Sequence, residues 1–534
     1  MTFPIAIIGA GPVGLAAAAH LAERSEPFVV LEAGAEAGAA VLRWGHVQMF
    51  TPWRYCVDTA AHRLLSAAGW QMPPSDTFPT GAELVTHYLA PLAALPELAS
   101  SIRYRQRVVA VARRGHDRQR GRDRQAVPFQ LTLVDDAGQE SLLLARAVID
   151  ASGTYLSPNP LGAAGVPAIG ERRVADHIFY GIPDILGRLR SRYANRRVLV
   201  AGSGHSAFNT LLDLVTLSVT APATQIIWVV RRNATNLERI FGGGEADALV
   251  ARGRLGMQIR SLIAEGRVTM VTGWQTEQVL QTDDGLVVSD GERTLPPVDE
   301  IIVCTGFRPD LTIMRELRLA LDPVVEAPVA LAPLIDPNLH SCGTVPPHGF
   351  TELHHPEPDV FIVGMKSYGR APTFLLLTGY EQVRSVTAAL CGDWEAARRV
   401  ELKLPETGVC SGPGGYDNQC CTSAITTFSA TIELQSVPHS LVRKLSFLVF
   451  FILGMDFGVV AIELGSSGLD GELPVDLDRL GAALVEQGQH LPAQGLDRWN
   501  APVEAEARDH CELALDHIEP GGRLGCVDEL ETLC

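Results

Sequence analysis

Two glycine-rich turns, about 190 residues apart, constrain this 534-residue chain more than any other feature. In the first, the apolar residues 4–8 lead into the turn 9–14, and an alanine-rich stretch over 15–24 follows it. A second apolar segment over 28–31 then ends at Glu32. Strand, glycine turn, helix, strand and acid in this order are typical of a βαβ dinucleotide-binding unit.

Each glycine of the first turn has a distinct physical role. Gly9 permits the tight turn, Gly11 lets the backbone approach a pyrophosphate, and Gly14 lets the helix pack on the strand. The helix that begins near Pro12 stabilises the phosphate charge at its N-terminus. Glu32, 23 residues after Gly9, is placed to accept hydrogen bonds from ribose hydroxyls. We therefore predict that these five residues bind a dinucleotide.

The same order of segments recurs between residues 197 and 230, but the acid is missing. Arg231 and Arg232 stand in its place. A carboxylate there would repel a 2′-phosphate, whereas guanidinium groups bind it bidentately. We predict that this second site prefers NADPH to NADH, and the alternative is two solvated arginines at a strand end. The predicted contacts in its turn are Gly202, Gly204 and Ser206.

Two further apolar segments, 147–151 and 300–304, each end in a small hydroxyl residue and a glycine, Gly153 or Gly306. At such positions the backbone passes close to a cofactor or crosses between domains. Alternating apolar residues around 108–112 and 129–134 predict a β-meander. The charged insert between them, 113–124, is predicted to be a solvated loop.

These motifs together resemble those of flavoproteins with two dinucleotide-binding domains, and most of all flavin-dependent monooxygenases. The resemblance implies FAD at the first turn and NADPH at the second. It also implies that Gly364, Met365 and Arg370 lie near the flavin. The similarity spans roughly residues 3–395 and lies in GAGPVG (9–14), FPTGAELVTHYL (78–89), VIDASGTY (148–155), VLVAGSGHSA (198–207), IIVCTGFRPD (301–310) and VGMKSYGRAPTFLLLTGYEQ (363–382).

The resemblance implies that NADPH reduces the flavin, and that a flavin peroxide then oxygenates a soft nucleophile such as sulfur, nitrogen or a metalloid. The Phe-x-Gly-x₃-His fingerprint of flavin monooxygenases is absent before the second turn. A flavin reductase that passes electrons to a quinone or a thiol/disulfide acceptor is therefore a second hypothesis. Neither CxxC nor CxxxxC occurs to support the thiol version. A non-catalytic NADPH-sensing flavoprotein is a third.

The predicted architecture is an α/β FAD domain with an inserted NADPH domain and a mainly helical C-terminal extension. Helices are predicted over 477–487 and 503–518. The apolar segment 445–462 is interrupted by Asp456, so we expect it to be buried or to touch a membrane shallowly rather than to span one. The predicted boundaries are 1–160 and 301–400 for the FAD domain, 161–300 for the NADPH domain, 401–440 for a Cys/Gly-rich linker and 441–534 for the extension.

Three cysteines of the linker, Cys410, Cys420 and Cys421, lie within 12 residues. Three thiolates suit a soft centre such as trivalent arsenic. The ending YGRAPTFLL (368–376) also resembles flavoproteins encoded beside arsenic-resistance genes. A metalloid substrate or ligand is one hypothesis, and unpaired linker cysteines are the other.

Charge and the N-terminus restrict the partners and the compartment. The 44 basic and 61 acidic residues give a net charge of −17, which argues against a nucleic-acid partner. The N-terminus has no basic region or small-residue cleavage site of an export signal, so we expect a cytoplasmic protein with reduced cysteines. The expected partners are a small-molecule substrate and O₂.

Overall fold

The computed structural model describes residues 3–233, 240–241, 250–336, 345–371, 374–402, 428–430 and 482–484. The strands are β1 (Ile5–Ile8), β2 (Phe28–Leu31), β3 (Ile102–Arg103), β4 (Arg107–Arg113), β5 (Phe129–Val134), β6 (Glu140–Ala145), β7 (Ala147–Asp150), β8 (Ile178–Tyr180), β9 (Arg197–Ala201), β10 (Gln225–Val229), β11 (Thr269–Val271), β12 (Gln278–Thr282), β13 (Gly285–Ser289), β14 (Glu300–Val303), β15 (Val360–Ile362), β16 (Phe428–Ala430) and β17 (Ala482–Leu484).

The α-helices are α1 (Pro12–Glu23), α2 (Ala39–Leu42), α3 (Thr59–Ala67), α4 (Gly81–Leu84), α5 (Ala90–Ala93), α6 (Pro96–Ala99), α7 (Arg190–Tyr193), α8 (His205–Thr220), α9 (Val250–Ala264), α10 (Ala332–Ile335), α11 (Phe350–Leu353), α12 (Leu376–Leu390) and α13 (Trp394–Arg398). A π-helical turn, Val85–Leu89, joins α4 to α5. The 3₁₀ turns are Trp53–Tyr55, Arg124–Ala126, Glu171–His177, Thr312–Met314 and Gly364–Tyr368.

The first sheet is parallel, with strand order β15-β7-β1-β2-β3. Its central strand is apolar throughout because both of its faces are covered. Ile5 and Ile7 pack into the cluster that contains α1, whereas Ala6 and Ile8 pack towards the antiparallel meander β4-β5-β6. The strand β15 joins this sheet although it follows the whole second domain in sequence.

The second sheet is also parallel, with strand order β11-β10-β9-β14-β8, and all of its strands lie between β7 and β15 in the chain. Apolar residues of α8, including Leu211 and Leu214, are fully buried against it. One Rossmann-like domain is thus inserted into another. The predicted α/β fold of these two domains is confirmed.

The charged insert before β5 differs from its prediction at both ends. Arg113 and Arg124 are buried, and both pair with the buried carboxylate of Glu357, at N–O distances of 2.9 and 2.7 Å. The Arg113 guanidinium also lies 3.6 Å from the centroid of the Phe129 ring. The solvated-loop prediction is therefore wrong for these two arginines. Glu357 is 233 residues from Arg124 in sequence, so local composition could not reveal the pair.

The chain divides into two compact units, Met1–Gly415 and Tyr416–Cys534. In the second unit β16 pairs with β17 in antiparallel fashion. β17 falls within the segment 477–487, so the helix prediction is wrong at 482–484, because periodicity cannot reveal a remote pairing partner. The predicted helix over 503–518, the apolar segment 445–462 and the linker cysteines lie outside the described residues. Within the described ranges, no helix is both long and apolar enough to cross a bilayer.

Candidate cofactor site

The first glycine turn combines tight packing with one open position. Gly9 has a φ of +102°, and a Cβ there would lie 2.9 Å from the carbonyl oxygen of Ala151. A Cβ on Gly14 would clash with the carbonyl oxygen of Gly9. A Cβ on Gly11, in contrast, would meet no heavy atom within 4 Å. Gly11 precedes Pro12, the first residue of α1, so the open space lies at a helix N-terminus, as a dinucleotide diphosphate requires.

Glu32 lies beside this turn, at the carboxyl end of β2. Its carboxylate accepts hydrogen bonds from the backbone N–H groups of Ala10, at 2.8 Å, and Gly34, at 2.6 Å. These bonds hold the acid against the turn, where a ribose that follows the diphosphate would meet it. The prediction for Glu32 is therefore compatible with its place in the fold.

The segment after β15 closes over α1 through Gly364. This residue has a φ of +69°, and a Cβ there would lie 3.2 Å from the Val13 side chain. The Gly364 N–H donates to the amide oxygen of Gln382 in α12, at 2.7 Å. The Gln382 Nε2 in turn lies 2.9 Å from both His348 Nε2 and the Ser367 hydroxyl. A fully buried amide therefore fixes the turn that adjoins the N-terminal end of α1.

The buried His348 acts as the acceptor in this network. Burial lowers the pKa of His348, so the ring is neutral near pH 7. Its Nδ1 donates to the carbonyl oxygen of Pro346 at 3.0 Å, which leaves Nε2 to accept from Gln382. Gln382 was not predicted for this site from the sequence, because a glutamine in an amphipathic helix carries no local signal.

The two other residues expected near the flavin lie on the same segment. Met365 is half-buried beside Gly364. Arg370 is exposed and forms an ion pair with Glu326, at an N–O distance of 2.9 Å. Its backbone N–H donates to the carbonyl oxygen of Val325 at 2.7 Å. The Arg370 guanidinium is thus engaged with a carboxylate in this structure.

A buried ion pair lies at the carboxyl end of β7, and it was not predicted from the sequence. The Lys366 ammonium lies 2.6 Å from the Asp150 carboxylate and 2.9 Å from the Ser152 hydroxyl. The two charged side chains are 2% and 0% exposed. Gly153 follows with a φ of +69° and open space at its Cβ position. The one available signal was that Lys366 is one of only three lysines among 44 basic residues.

The second turn repeats the geometry of the first. Gly202 has a φ of +128°, and a Cβ there would clash with the carbonyl group of Cys304. The Trp228 indole N–H donates to the Gly202 carbonyl oxygen at 2.6 Å and so braces the turn. Gly204 is the N-cap of α8 and has open space at its Cβ position. Ser206 lies in the first turn of α8, half-buried.

Arg231 and Arg232 follow β10 directly, at the same carboxyl edge as this turn, because β10 and β9 are parallel neighbours. Both side chains are exposed. The Arg231 guanidinium donates to the carbonyl oxygen of Ala163 at 3.3 Å. The two arginines therefore follow β10 at the carboxyl edge of the sheet that also carries the second glycine turn.

The two segments that connect the domains, one after β7 and one after β14, pair with each other. Asn159 donates its backbone N–H to the Gly306 carbonyl oxygen at 2.9 Å, and Gly306 has a φ of +86°. The Tyr155 and Phe307 rings stack at a centroid distance of 4.9 Å. Both predicted strand-end glycines, Gly153 and Gly306, thus lie on the connections between the domains.

A loop of the first domain also touches the second domain at the start of α8. The Phe50 and His205 rings lie 5.6 Å apart. His46, in the same loop, lies near Asp184 and Pro183, and burial lowers its pKa below the usual value. The loop therefore contacts the first residue of α8.

Two thiols of the described residues are buried and unreactive. Cys304 and Cys56 are buried, and burial raises the pKa of each to about 12. Such thiols are protonated at neutral pH and are not nucleophiles. Cys391 is partly exposed. Across the described part of the chain, no group of three or more His, Cys, Asp or Glu residues could hold a metal ion.

Comparisons with known proteins agree with this geometry. The family described as "Pyridine nucleotide-disulphide oxidoreductase" matches residues 3–329. A ferredoxin–NADP reductase of Salinispora arenicola (strain CNS-205) is 26% identical over 325 residues, which cover 60% of this chain and 78% of the relative. One from Lactiplantibacillus plantarum (strain ATCC BAA-793 / NCIMB 8826 / WCFS1) is 24% identical over 323 residues, covering 59% and 76%.

Solved structures share the fold at low sequence identity. Bacillithiol disulfide reductase Bdr from Bacillus cereus is similar with a TM-score of 0.50 and 16% identity, covering 73% of this chain and 100% of that one. DfoA from Erwinia amylovora, a desferrioxamine-pathway cadaverine monooxygenase bound to FAD, is similar with a TM-score of 0.50 and 14% identity, covering 76% and 98%. From the two turns and the matched family we conclude that the cofactors are FAD and NADPH, and that the chain belongs to the pyridine nucleotide-disulphide oxidoreductase family.

Proposed function

We propose that the chain passes electrons from NADPH through FAD to O₂, and that it is a monooxygenase acting on sulfur, nitrogen or a trivalent metalloid in a small molecule. The observation that carries this proposal is the state of the thiol beside the second turn. A dithiol pathway needs an accessible thiolate close to the flavin. Cys304 adjoins Gly202, yet burial raises its pKa to about 12. Cys56, in the first domain, is also buried and protonated, so neither of these two described thiols supplies that thiolate.

The proposed roles of the chain's own residues are binding and orientation. Gly11 and the N-terminus of α1 would hold the FAD diphosphate, and Glu32 would accept hydrogen bonds from its ribose. Gly204 and the N-terminus of α8 would hold the NADPH diphosphate, and Arg231 its 2′-phosphate. When bound, FAD accepts two electrons from NADPH and hands them to an acceptor.

Water exclusion is the further task of the chain in an oxygenase. The loop that carries His46 and Phe50 would cover the region between the two cofactor edges, since it already touches His205. A ring contact of this kind limits solvent access where the two nucleotides would face each other. This reaction needs no acid–base triad, because the cofactor supplies the reactive chemistry.

A reductase is the second candidate, and a specific observation favours it. The two sequence relatives described above are ferredoxin–NADP reductases, at 26% and 24% identity. Electrons would then leave the flavin for a one-electron protein acceptor or a quinone instead of O₂. Such a reaction forms no oxygenated product, and it does not require the flavin to be shielded from solvent.

One experiment separates the two candidates. Full-length, FAD-loaded protein is given NADPH, and the consumption of NADPH and O₂ is followed with and without sulfide, amine and arsenite substrates. A monooxygenase forms one oxygenated product for each NADPH and O₂ consumed, and it does not turn over without oxygen. Rapid anaerobic reduction of ferredoxin or a quinone, with no oxygenated product in air, would establish the reductase instead.

A further inference from the structure

The buried pair of Lys366 and Asp150 lies next to the first glycine turn, to which we assign FAD. β7 and β1 are parallel, and their register sets Asp150 opposite Ile8, the last residue before the glycine turn. Ser152, which also accepts a hydrogen bond from Lys366, comes within 3.1 Å of the Cβ position of Gly9. The ion pair is therefore next to the turn, although Lys366 is 216 residues from Asp150 in the chain.

This location creates an electrostatic conflict that Lys366 resolves. The diphosphate of a dinucleotide carries two negative charges, and Glu32 already adds a carboxylate to the edge. Asp150 is fully buried, so water cannot screen its charge. An uncompensated carboxylate there would oppose the binding of the diphosphate. The Lys366 ammonium, at 2.6 Å, cancels it.

The choice of lysine over arginine agrees with a small, crowded site. The chain uses arginine at 41 of its 44 basic positions, yet lysine occupies this one. An ammonium is a compact charge with three donors, whereas a guanidinium is a wide planar group. Two of the three donors of Lys366 bind Asp150 and Ser152. The turn Gly364–Tyr368 holds the lysine backbone in place through Gln382.

We propose that Lys366 is a positioning residue for FAD, which neutralises Asp150 and thereby allows the diphosphate to bind at the first glycine turn. The proposal rests on the assignment of FAD to that turn. It predicts an asymmetry that a purely structural ion pair would not show. Removing the cation must weaken FAD binding, whereas removing the anion must leave binding unchanged or tighten it.

The test compares Lys366→Met, Asp150→Asn and the double variant in the full-length protein. FAD is removed by dialysis, and its dissociation constant is measured by flavin fluorescence titration, with the thermal midpoint of the FAD-free protein recorded in parallel. We expect Lys366→Met to weaken binding at least tenfold. Asp150→Asn should bind within threefold of wild type or more tightly. The double variant should return to within threefold of wild type.

Several results would overturn the proposal. Unchanged binding by Lys366→Met would do so, as would equal weakening by both single variants. A double variant as weak as Lys366→Met would mean that the lysine contacts FAD without involving Asp150. Should Lys366→Met fail to fold, Asp150→Asn decides alone, because a structural pair predicts weakening and the electrostatic role predicts none.

Two controls isolate the effect. Glu357→Gln removes the buried carboxylate that pairs with Arg113 and Arg124, so it should lower the thermal midpoint without changing the FAD dissociation constant. Gly11→Leu tests the underlying assignment separately. A Gly11→Leu protein that still binds FAD would refute the location of the cofactor, whatever the Lys366 variants do.

Discussion

The two glycine turns share a backbone design but differ in the charges around it. Each turn has one glycine that packs tightly against a carbonyl group, Gly9 in the first and Gly202 in the second. Each also has a glycine whose Cβ position is open, Gly11 in the first and Gly204 in the second. The first turn is bordered by Glu32 and by the buried pair of Asp150 and Lys366. The second lies at the same sheet edge as two exposed arginines, Arg231 and Arg232. We therefore propose that backbone geometry forms a diphosphate cradle at each turn, and that the charges at the strand ends select the nucleotide that binds there.

The largest effects are expected when a side chain fills the open position of one glycine turn and the other turn is left intact. Gly11→Leu should give a folded but colourless protein, because its Cβ has room in the protein but occupies the space of the diphosphate. Gly204→Leu should keep FAD and lose NADPH-dependent reduction of the flavin, for the same reason at the second turn. The visible spectrum and the anaerobic bleaching of the flavin by NADPH measure the two outcomes.

The same substitution at the two tightly packed glycines serves as a control for Gly11→Leu and Gly204→Leu. Gly9→Leu and Gly202→Leu place a side chain against backbone, with φ values of +102° and +128°, so they should lower the thermal midpoint of the protein. The distinction between open and tightly packed glycines would be contradicted if the variants at Gly11 and Gly204 lowered the thermal midpoint as much as those at Gly9 and Gly202. A yellow, FAD-loaded Gly11→Leu protein would also contradict it.

A smaller effect tests the charge at the second turn. Arg231→Ala should raise the KM for NADPH about 10- to 100-fold and leave that for NADH nearly unchanged, since a charged hydrogen-bond pair contributes about 1.5–3 kcal/mol. Steady-state kinetics with both nucleotides measure the difference. Arg232→Ala is the matched neighbour. Equal losses with NADPH and NADH would show that Arg231 does not read the 2′-phosphate.

How much of the two sites could be predicted depended on the distance of the contacts along the chain. Gly9, Gly14 and Gly202 were predictable because a βαβ dinucleotide-binding unit fixes their spacing within a short stretch of sequence. The carbonyl groups that press on Gly9 and Gly202, those of Ala151 and Cys304, are remote in sequence and were not predictable. The partners Asp150 and Lys366 are 216 residues apart, and each alone is an ordinary charged residue. Gln382 was missed for a similar reason, since it reaches Gly364 across a loop and a helix. Charge pairing between remote segments leaves no period or spacing in the sequence.

The second domain also offers a pH-dependent contrast with the first. In the first domain, backbone hydrogen bonds and His20 outweigh the burial of Asp58 and hold its pKa below the usual range. In α8, burial and the charge of Asp184 raise the pKa of Asp213 to about 6. A raised carboxyl pKa costs stability above pH 6, and the cost disappears as the pH falls towards 4.

Asp213→Asn should therefore stabilise the protein by about 2 kcal/mol at pH 7.5 and have little effect near pH 4. Thermal unfolding at the two pH values measures the difference. The exposed Asp283→Asn is the control, with an expected effect within about 0.5 kcal/mol at both. Destabilisation by Asp213→Asn at pH 7.5 would contradict the sign.

The smallest expected effect concerns the metalloid hypothesis, whose three cysteines lie outside the described residues. If Cys410, Cys420 and Cys421 bind one arsenic atom, stoichiometric arsenite should protect them from alkylation and change the rate of NADPH oxidation, because trivalent arsenic takes three thiolates. The triple serine variant should lose both responses and keep its FAD content and its KM for NADPH, since neither glycine turn is altered. Cys391→Ser, which removes a partly exposed thiol of the first unit, is the matched control and should retain both responses. Arsenite binding that persists in the triple variant would exclude these thiols as the ligands, and the cofactor assignments at the two turns would be unaffected.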